Sequence, residues 1–198
     1  MKIAVISDIH ENYQNLLEFL KIAEKKQFPQ ILFLGDFMNA GIARVLARSG
    51  IPVYAIWGNN DGDRLAVLKE SLHPKSSLSM AKFTHGVYSV AGRKLFLSHH
   101  PELVSTAAAS GMYDAVLFGH THKTYLANRD SVLILNPGEI SAHKYGRASY
   151  AVYDTETNSA QLHYIDNIVT VSVRTKQVAK AYEELGFNSH DEYDDLLT

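Results

Sequence analysis

Ile3-Ala4-Val5-Ile6-Ser7-Asp8-Ile9-His10 carries four consecutive apolar residues into a carboxylate and then an imidazole. An unbroken apolar run of this kind reads as a strand buried on both faces, as in a parallel sheet covered by helices. Asp8 and His10 fall where that strand should end. In an extended backbone, residues i and i+2 project to the same side. The pattern therefore presents an oxygen donor and a nitrogen donor together at the rim of a buried sheet, which is half of a metal site.

The sequence that follows repeats the arrangement. Asn12 can cap a helix running to about Lys26, with Leu16, Leu17, Leu20 and Ala23 on one face. Ile31 to Leu34 is a second buried strand, stopped at Gly35-Asp36, and a short helix over about Ala40 to Ser49 follows. Pro52 to Trp57 is a third, stopped at Gly58-Asn59-Asn60-Asp61, with a helix over roughly Asp63 to Ser71. Repeated β-α units imply a parallel sheet with right-handed crossovers. Ligands bind such sheets outside the carboxyl ends of the strands. Asp8, His10, Asp36 and Asn59 are thus expected at one edge, with Asp36 on the middle strand.

The second half reads differently. His73 to Phe83 is rich in Ser and Lys and reads as a loop. Val87 to Val90 and Lys94 to Leu97 flank Ala91-Gly92-Arg93 and suggest a hairpin, whose second strand ends at Ser98-His99-His100. After a helix over about Glu102 to Ser110, Ala115 to Phe118 is another buried strand, stopped at Gly119-His120-Thr121-His122. Short strands are expected over Tyr125 to Asn128, Val132 to Leu135, Ser149 to Tyr153 and Ala160 to Ile165, with turn signals such as Asn136-Pro137-Gly138 between them. This half reads as largely antiparallel. The fold class is α/β (α+β): two mixed β-sheets packed as a sandwich and flanked by helices. One domain is expected over residues 1–198, with about 166–198 as a C-terminal extension. That extension offers a strand over Val169 to Val173, a helix over Lys176 to Leu185 and capping-box spacing at Ser189 and Glu192. Beyond Lys180 its charges are all acidic: Glu183, Glu184, Asp191, Glu192, Asp194 and Asp195. They read as a solvated face or as a docking surface for another subunit.

Composition narrows the function classes. Hydrophobic residues make up 46% and charged residues 20%, as in ordinary water-soluble domains. A net charge of -2 gives no general electrostatic case for nucleic acid or membrane. There is no apolar run near the roughly 18 residues needed to span a bilayer, and no secretory leader pattern, so the cytoplasm is the expected compartment. With no cysteine, a metal must be held through nitrogen and oxygen.

The polar residues at strand ends are Asp8, His10, Asp36, Asn59, His99, His120 and His122. This set of hard oxygens and borderline nitrogens suits Mn, Fe, Zn, Ni or Co and is too rich in nitrogen for Mg or Ca alone. It exceeds the needs of one ion. Two ions about 3.5–4 Å apart form the arrangement that cleaves phosphoesters, and one carboxylate must bridge them, for which Asp36 is best placed.

The order Asp8-x-His10, Gly35-Asp36, Gly58-Asn59-x-Asp61, His99 and Gly119-His120-x-His122 resembles the calcineurin-like metallophosphoesterase superfamily, and the short chain is most similar to its small YfcE-like phosphodiesterases. The resemblance covers about residues 1–165 and includes Asn136-Pro137-Gly138. It implies two divalent metal ions, manganese foremost, with Ni, Fe, Zn or Co as alternatives. Asp8, His10, Asp36 and His122 would hold the first ion, and Asp36, Asn59, His99 and His120 the second. A hydroxide between them would attack the phosphorus of a small phosphodiester, with no covalent enzyme intermediate. Two positions depart from the family pattern. Asn60 stands where the superfamily has a His that binds phosphate and protonates the leaving group, and an amide cannot transfer that proton. His100 stands where Gly is usual, and either His100 or His143, just past the Asn-Pro-Gly segment, is a candidate for the missing acid. Asp61 is expected to orient a ligand or to cap the next helix. The alternatives are a phosphomonoesterase acting on nucleotides or phosphoproteins, and a non-catalytic protein-binding scaffold such as the retromer subunit that shares the fold. A homo-oligomer is left open.

Overall fold

The structure, a computed structural model, describes residues 1–170 together with Lys176, Gln177, Lys180 and Glu184. Among the described residues, eleven strands form two mixed sheets. The first contains β1 (Lys2–Ile6), β2 (Ile31–Phe33), β3 (Val53–Ala55), β4 (Leu78–Met80), β10 (Ser149–Asp154) and β11 (Ser159–Tyr164) in the order β11-β10-β1-β2-β3-β4. The second contains β5 (His85–Val90), β6 (Arg93–Ser98), β7 (Ala115–Phe118), β8 (Tyr125–Arg129) and β9 (Val132–Asn136) in the order β5-β6-β7-β9-β8. Helices α1 (Tyr13–Lys25), α2 (Ala40–Ala47) and α3 (Arg64–Ser71) connect strands of the first sheet, and α4 (Val104–Ala109) connects β6 to β7.

Strand alternation decides which layer each residue joins. Ile3 and Val5 point into the sandwich and pack with Leu32, Leu95, Leu117 and Leu135. Ala4 and Ile6 point outward and pack with Leu16, Phe19 and Ile42 of the helices. In the second sheet, Ala115 and Leu117 face the sandwich, whereas Val116 and Phe118 face Ala107 and Ala108 of α4. From Ile3 to Ile6 in β1, and throughout β7, every inward and outward position is therefore apolar and buried, which is why these stretches read as unbroken runs.

The expected parallel β1-β2-β3 core is present, in register from Ala4 opposite Ile31 and from Ile31 opposite Val53. The hairpin is present too: Ala91 (φ 47°) and Gly92 (φ 80°) turn β5 into β6 in the left-handed region, as a two-residue hairpin loop requires.

Four expectations are corrected. The Ser- and Lys-rich segment contains β4, whose Leu78 is buried and pairs with Val53. It extends the parallel sheet at an edge, where polar alternate residues are tolerated. The second half is antiparallel in most of its pairings, as expected, through β5-β6, β8-β9, β10-β11 and β1-β10, but the centre of the second sheet, β6-β7 and β7-β9, is parallel. On α1 the buried face is Asn15, Leu16, Phe19 and Ala23, while Leu17 is exposed. Asn15 is admitted to the core because its amide donates to the Ile140 carbonyl and its side-chain oxygen accepts from the Val169 N–H. Finally, β1 ends at Ile6, and Asp8 (φ 54°) and His10 (φ 42°) are left-handed rather than extended. They share one side because the chain turns sharply at both, not through strand alternation. Val169 and Thr170 are outside any strand. The rest of the expected strand, most of the helix over 176–185 and, apart from Glu184, the acidic tail lie outside the described residues.

Candidate metal centre

The carboxyl ends of β1, β2, β3, β6 and β7 all open on one edge of the sandwich, and every candidate ligand follows one of these strands. Asp8 and His10 come after β1, Asp36 after β2, Asn59 after β3, His99 after β6, and His120 and His122 after β7. Asp36 (φ 68°), His120 (φ 66°) and His122 (φ 63°) join Asp8 and His10 in the left-handed region. A non-glycine residue there is unusual, and such strain gathers at functional sites. Two glycines make room for this crowding. A Cβ at Gly58 would stand 2.0 Å from Asp36 Oδ1, and one at Gly119 2.1 Å from Ser7 Oγ.

The donor atoms fall into two groups. In the first, His10 Nε2 lies 3.2 Å from His122 Nε2, 3.3 Å from Asp36 Oδ2 and 3.6 Å from Asp8 Oδ1. His122 Nε2 lies 3.4 Å from Asp8 Oδ1. In the second, Asn59 Oδ1 lies 2.9 Å from His99 Nε2 and 2.8 Å from His120 Nδ1, and His99 Nε2 lies 3.5 Å from Asp36 Oδ1. Asp36 thus turns one oxygen to each group. Ligand atoms about 2.1 Å from a common ion stand roughly 3.0–3.4 Å from one another, and both groups lie close to this spacing.

The protonation pattern also fits a cation. The ring nitrogen Nδ1 of His99 donates to the Leu34 carbonyl at 2.7 Å, and that of His122 donates to the Glu139 carboxylate at 2.6 Å. A carbonyl or carboxylate only accepts, so in each neutral ring Nε2 carries the lone pair, and Nε2 is the atom facing the group. Asp8 Oδ1 is buried with no hydrogen bond among the described residues, an orphaned carboxylate oxygen that a cation would satisfy. Asp8, His10 and His122 form one set able to hold a metal ion, and Asp8, Asp36 and His99 another.

The groups also tune one another. Burial works against the charge of Asp8, but the neighbouring imidazoles of His10, His99 and His122 lower its pKa. Burial would lower the pKa of His10, but the neighbouring carboxylates of Asp8 and Asp36 raise it. His120 is held below the usual imidazole range by burial and by His99 and His100.

All eight sequence-derived site residues lie at this edge. Asn60 donates its backbone N–H to Asp36 Oδ1 at 2.9 Å and its amide to Oδ2 at 2.8 Å, so it braces a carboxylate as well as lining the cleft. Asp61 accepts from the N–H groups of Gly58, Asp36 and Met38. Of its two expected roles it takes the orienting one, since Asp63 caps α3 through the Ala66 N–H. Burial pushes its carboxyl up, against the hydrogen bonds from Gly58 and Met38. His100 packs its ring on His99 and His120. The cleft, of roughly 270 Å³, is lined by His10, Asp36, Met38, Asn60, His120, His122, His143 and Lys144. His143 therefore reaches it, with its ring 6.0 Å from that of His10.

Two residues were missed in the sequence. Glu139 is 1% exposed. Burial would raise its pKa, but bonds from His122, Ser141, Tyr145 and Lys144 hold it at about 2. Asn136 is buried and donates to the Gly119 carbonyl and Thr121 Oγ1, tying β9 to the loop that carries His120 and His122. The signal was available: Asn136-Pro137-Gly138-Glu139 is one more polar cluster at the end of a buried strand.

Comparison with known proteins shows what the chain as a whole is similar to. The sequence profile of the calcineurin-like phosphoesterase superfamily domain matches residues 1–158. The chain is 30% identical to phosphodiesterase MJ0936 of Methanocaldococcus jannaschii over 158 residues, 79% of this chain and 94% of that protein. It is 26% identical to phosphodiesterase YfcE of Escherichia coli over 176 residues, 80% of this chain and 90% of that protein. A solved structure described as a novel archaeal phosphodiesterase superposes with a TM-score of 0.76 at 26% identity, covering 83% of this chain and all of the other. With the domain profile spanning most of the sequence, this chain belongs to the calcineurin-like phosphoesterase superfamily.

Proposed function

We propose that this protein is a two-metal phosphodiesterase acting on small organic phosphodiesters, with manganese as the working metal. The observation that carries the proposal is the division of Asp36: Oδ2 faces His10, and Oδ1 faces His99. Asp8, His10, His122 and Asp36 would hold one ion, and Asp36, Asn59, His99 and His120 the other. When bound, such a pair supplies a hydroxide at neutral pH and offsets charge on the phosphate oxygens.

The protein's own residues do the rest. Asn60 fixes the plane of Asp36 through two donated bonds, and Asp61 fixes the backbone beneath it. His143 and Lys144 offer donors on the cleft wall to a bound phosphate. Asn60 has no proton to give a leaving alkoxide, which favours diesters over monoesters. The named relatives MJ0936 and YfcE, both phosphodiesterases, support the same choice.

The test is to strip the full chain of metal, titrate it with Mn²⁺, and assay a chromogenic diester and the matching monoester. The expected result is uptake of two equivalents of Mn²⁺ and metal-dependent turnover, faster on the diester. Absence of both stoichiometric metal and turnover would overturn the proposal.

A further inference from the structure

Glu139 lies outside the family blocks, yet it is the most heavily hydrogen-bonded carboxylate near the cleft among the described residues. Its Oε2 accepts from His122 Nδ1 at 2.6 Å, from Ser141 Oγ at 2.5 Å and from the His143 N–H at 2.9 Å. Its Oε1 accepts from the N–H groups of Lys144 at 3.0 Å and Tyr145 at 2.8 Å. Each of these five partners is a donor. A carboxylate offers about four acceptor sites and no proton, and a glutamine in its place would turn its amide hydrogens toward other donors.

The segment around Glu139 is fixed independently. The N–H groups of Ile140 and Ser141 donate to the carbonyls of Ser7 and Asp8. The side chains of Asn15 and Asn12 donate to the carbonyls of Ile140 and Ser141. The backbone of Glu139 is thereby locked to the end of β1 and the start of α1, whereas the loop over 143–145 returns to it through the carboxylate.

We propose that Glu139 is a positioning residue: it holds the His122 ring in the tautomer whose Nε2 lone pair faces Asp8 and His10, and with the same two oxygens sets the loop that brings His143 and Lys144 to the cleft. The inference rests on the two-metal reading above. It deepens that reading by making the two ion positions unequal. His99 leans on a neutral carbonyl, whereas His122 leans on a buried anion, and a charged partner raises the ligand strength of the opposite nitrogen. The ion held by Asp8, His10 and His122 therefore depends on Glu139, while the ion held by Asn59, His99 and His120 does not.

The test uses the full chain, ¹⁵N-detected histidine NMR without metal, and calorimetric titration with Mn²⁺ alone. In the wild type, His122 should show a protonated Nδ1 and a bare Nε2. Glu139→Gln, which keeps the side-chain volume, should mix the tautomers and weaken one of the two Mn²⁺ sites by about 10–100-fold, leaving the other within about twofold. Glu139→Ala should do the same more strongly. A wild-type His122 protonated on Nε2 would overturn the inference with no variant needed. So would a Glu139→Gln protein with two unchanged affinities, and that result would leave the two-metal reading standing. A wild-type chain that takes up no Mn²⁺ would take down both.

Discussion

Asp36 is the residue at which a single substitution should cost the most. Asp36→Asn removes the negative charge that faces both groups of ligands while keeping the shape of the side chain. If the carboxylate bridges two ions, the loss of transition-state stabilisation should be about 4 kcal/mol, roughly a thousandfold in rate, measured as turnover of a diester at saturating Mn²⁺. An Asp36→Asn variant whose rate stays within about tenfold of wild type would contradict the bridging role. Gly58→Ala approaches the same atom from outside. Its new Cβ would stand 2.0 Å from Asp36 Oδ1, so Asp36 must move, at a cost of about 1–3 kcal/mol in stability together with a loss of Mn²⁺ affinity. Unchanged affinity would mean that the carboxylate position is not critical. The candidate ligands could be picked out in the sequence because each comes just after a strand with a short apolar core. The left-handed backbone that gathers them was not legible, because nothing in Asp8-Ile9-His10 marks a positive φ. Glu139 lies in a readable polar cluster at the end of a buried strand, but the sequence does not show that five donors converge on it.

Helix α1 shows how an element near the site is held. Asn12 accepts from the Asn15 N–H and donates to the Ser141 and Val169 carbonyls, so the helix cap is also a clamp on the loop that begins at Glu139. Asn12→Ala should lower stability by about 1–2 kcal/mol, read from urea unfolding. A midpoint matching the wild type would show the clamp to be idle. The cap itself was readable from sequence, since Asn before a periodic apolar stretch is a start signal. The clamp was not, because it depends on contacts far away in the chain, Ser141 standing 129 residues from Asn12. Element β4 was unreadable for the opposite reason: three residues on a sheet edge bury too little for their pattern to stand out from a polar loop.

At the scale of the molecule, the two sheets meet through apolar side chains, and Tyr153 is the largest of those fully buried. Its hydroxyl donates to Asn158 at 2.7 Å. Burial pushes its pKa up to about 12, with Arg93 working against it and Asp114 and Asp154 adding to it. A raised pKa favours the neutral folded form. Its contribution is complete below the unfolded value near 10 and is lost as pH rises toward about 12. Stability should therefore fall between about pH 10 and 12, and Tyr153→Phe should flatten that fall. An identical alkaline limb in the variant would assign the effect elsewhere. The sandwich itself followed from the sequence, because burial on both faces of β1 and β7 demands covering layers. The parallel centre of the second sheet did not, because α4 is short and its flanking segments read equally well as a meander. No helix among the described residues is long and apolar enough to cross a membrane, and what surrounds the metal edge is an open cleft. Sharing of Asp36 by two cations at that edge follows from the proposed function. It is tested most directly by anomalous diffraction from crystals of the full chain grown with Mn²⁺. Two manganese peaks about 3.5–4 Å apart are predicted, with the Asp36 carboxylate between them; a single peak, or two peaks neither of which touches Asp36, would contradict the claim.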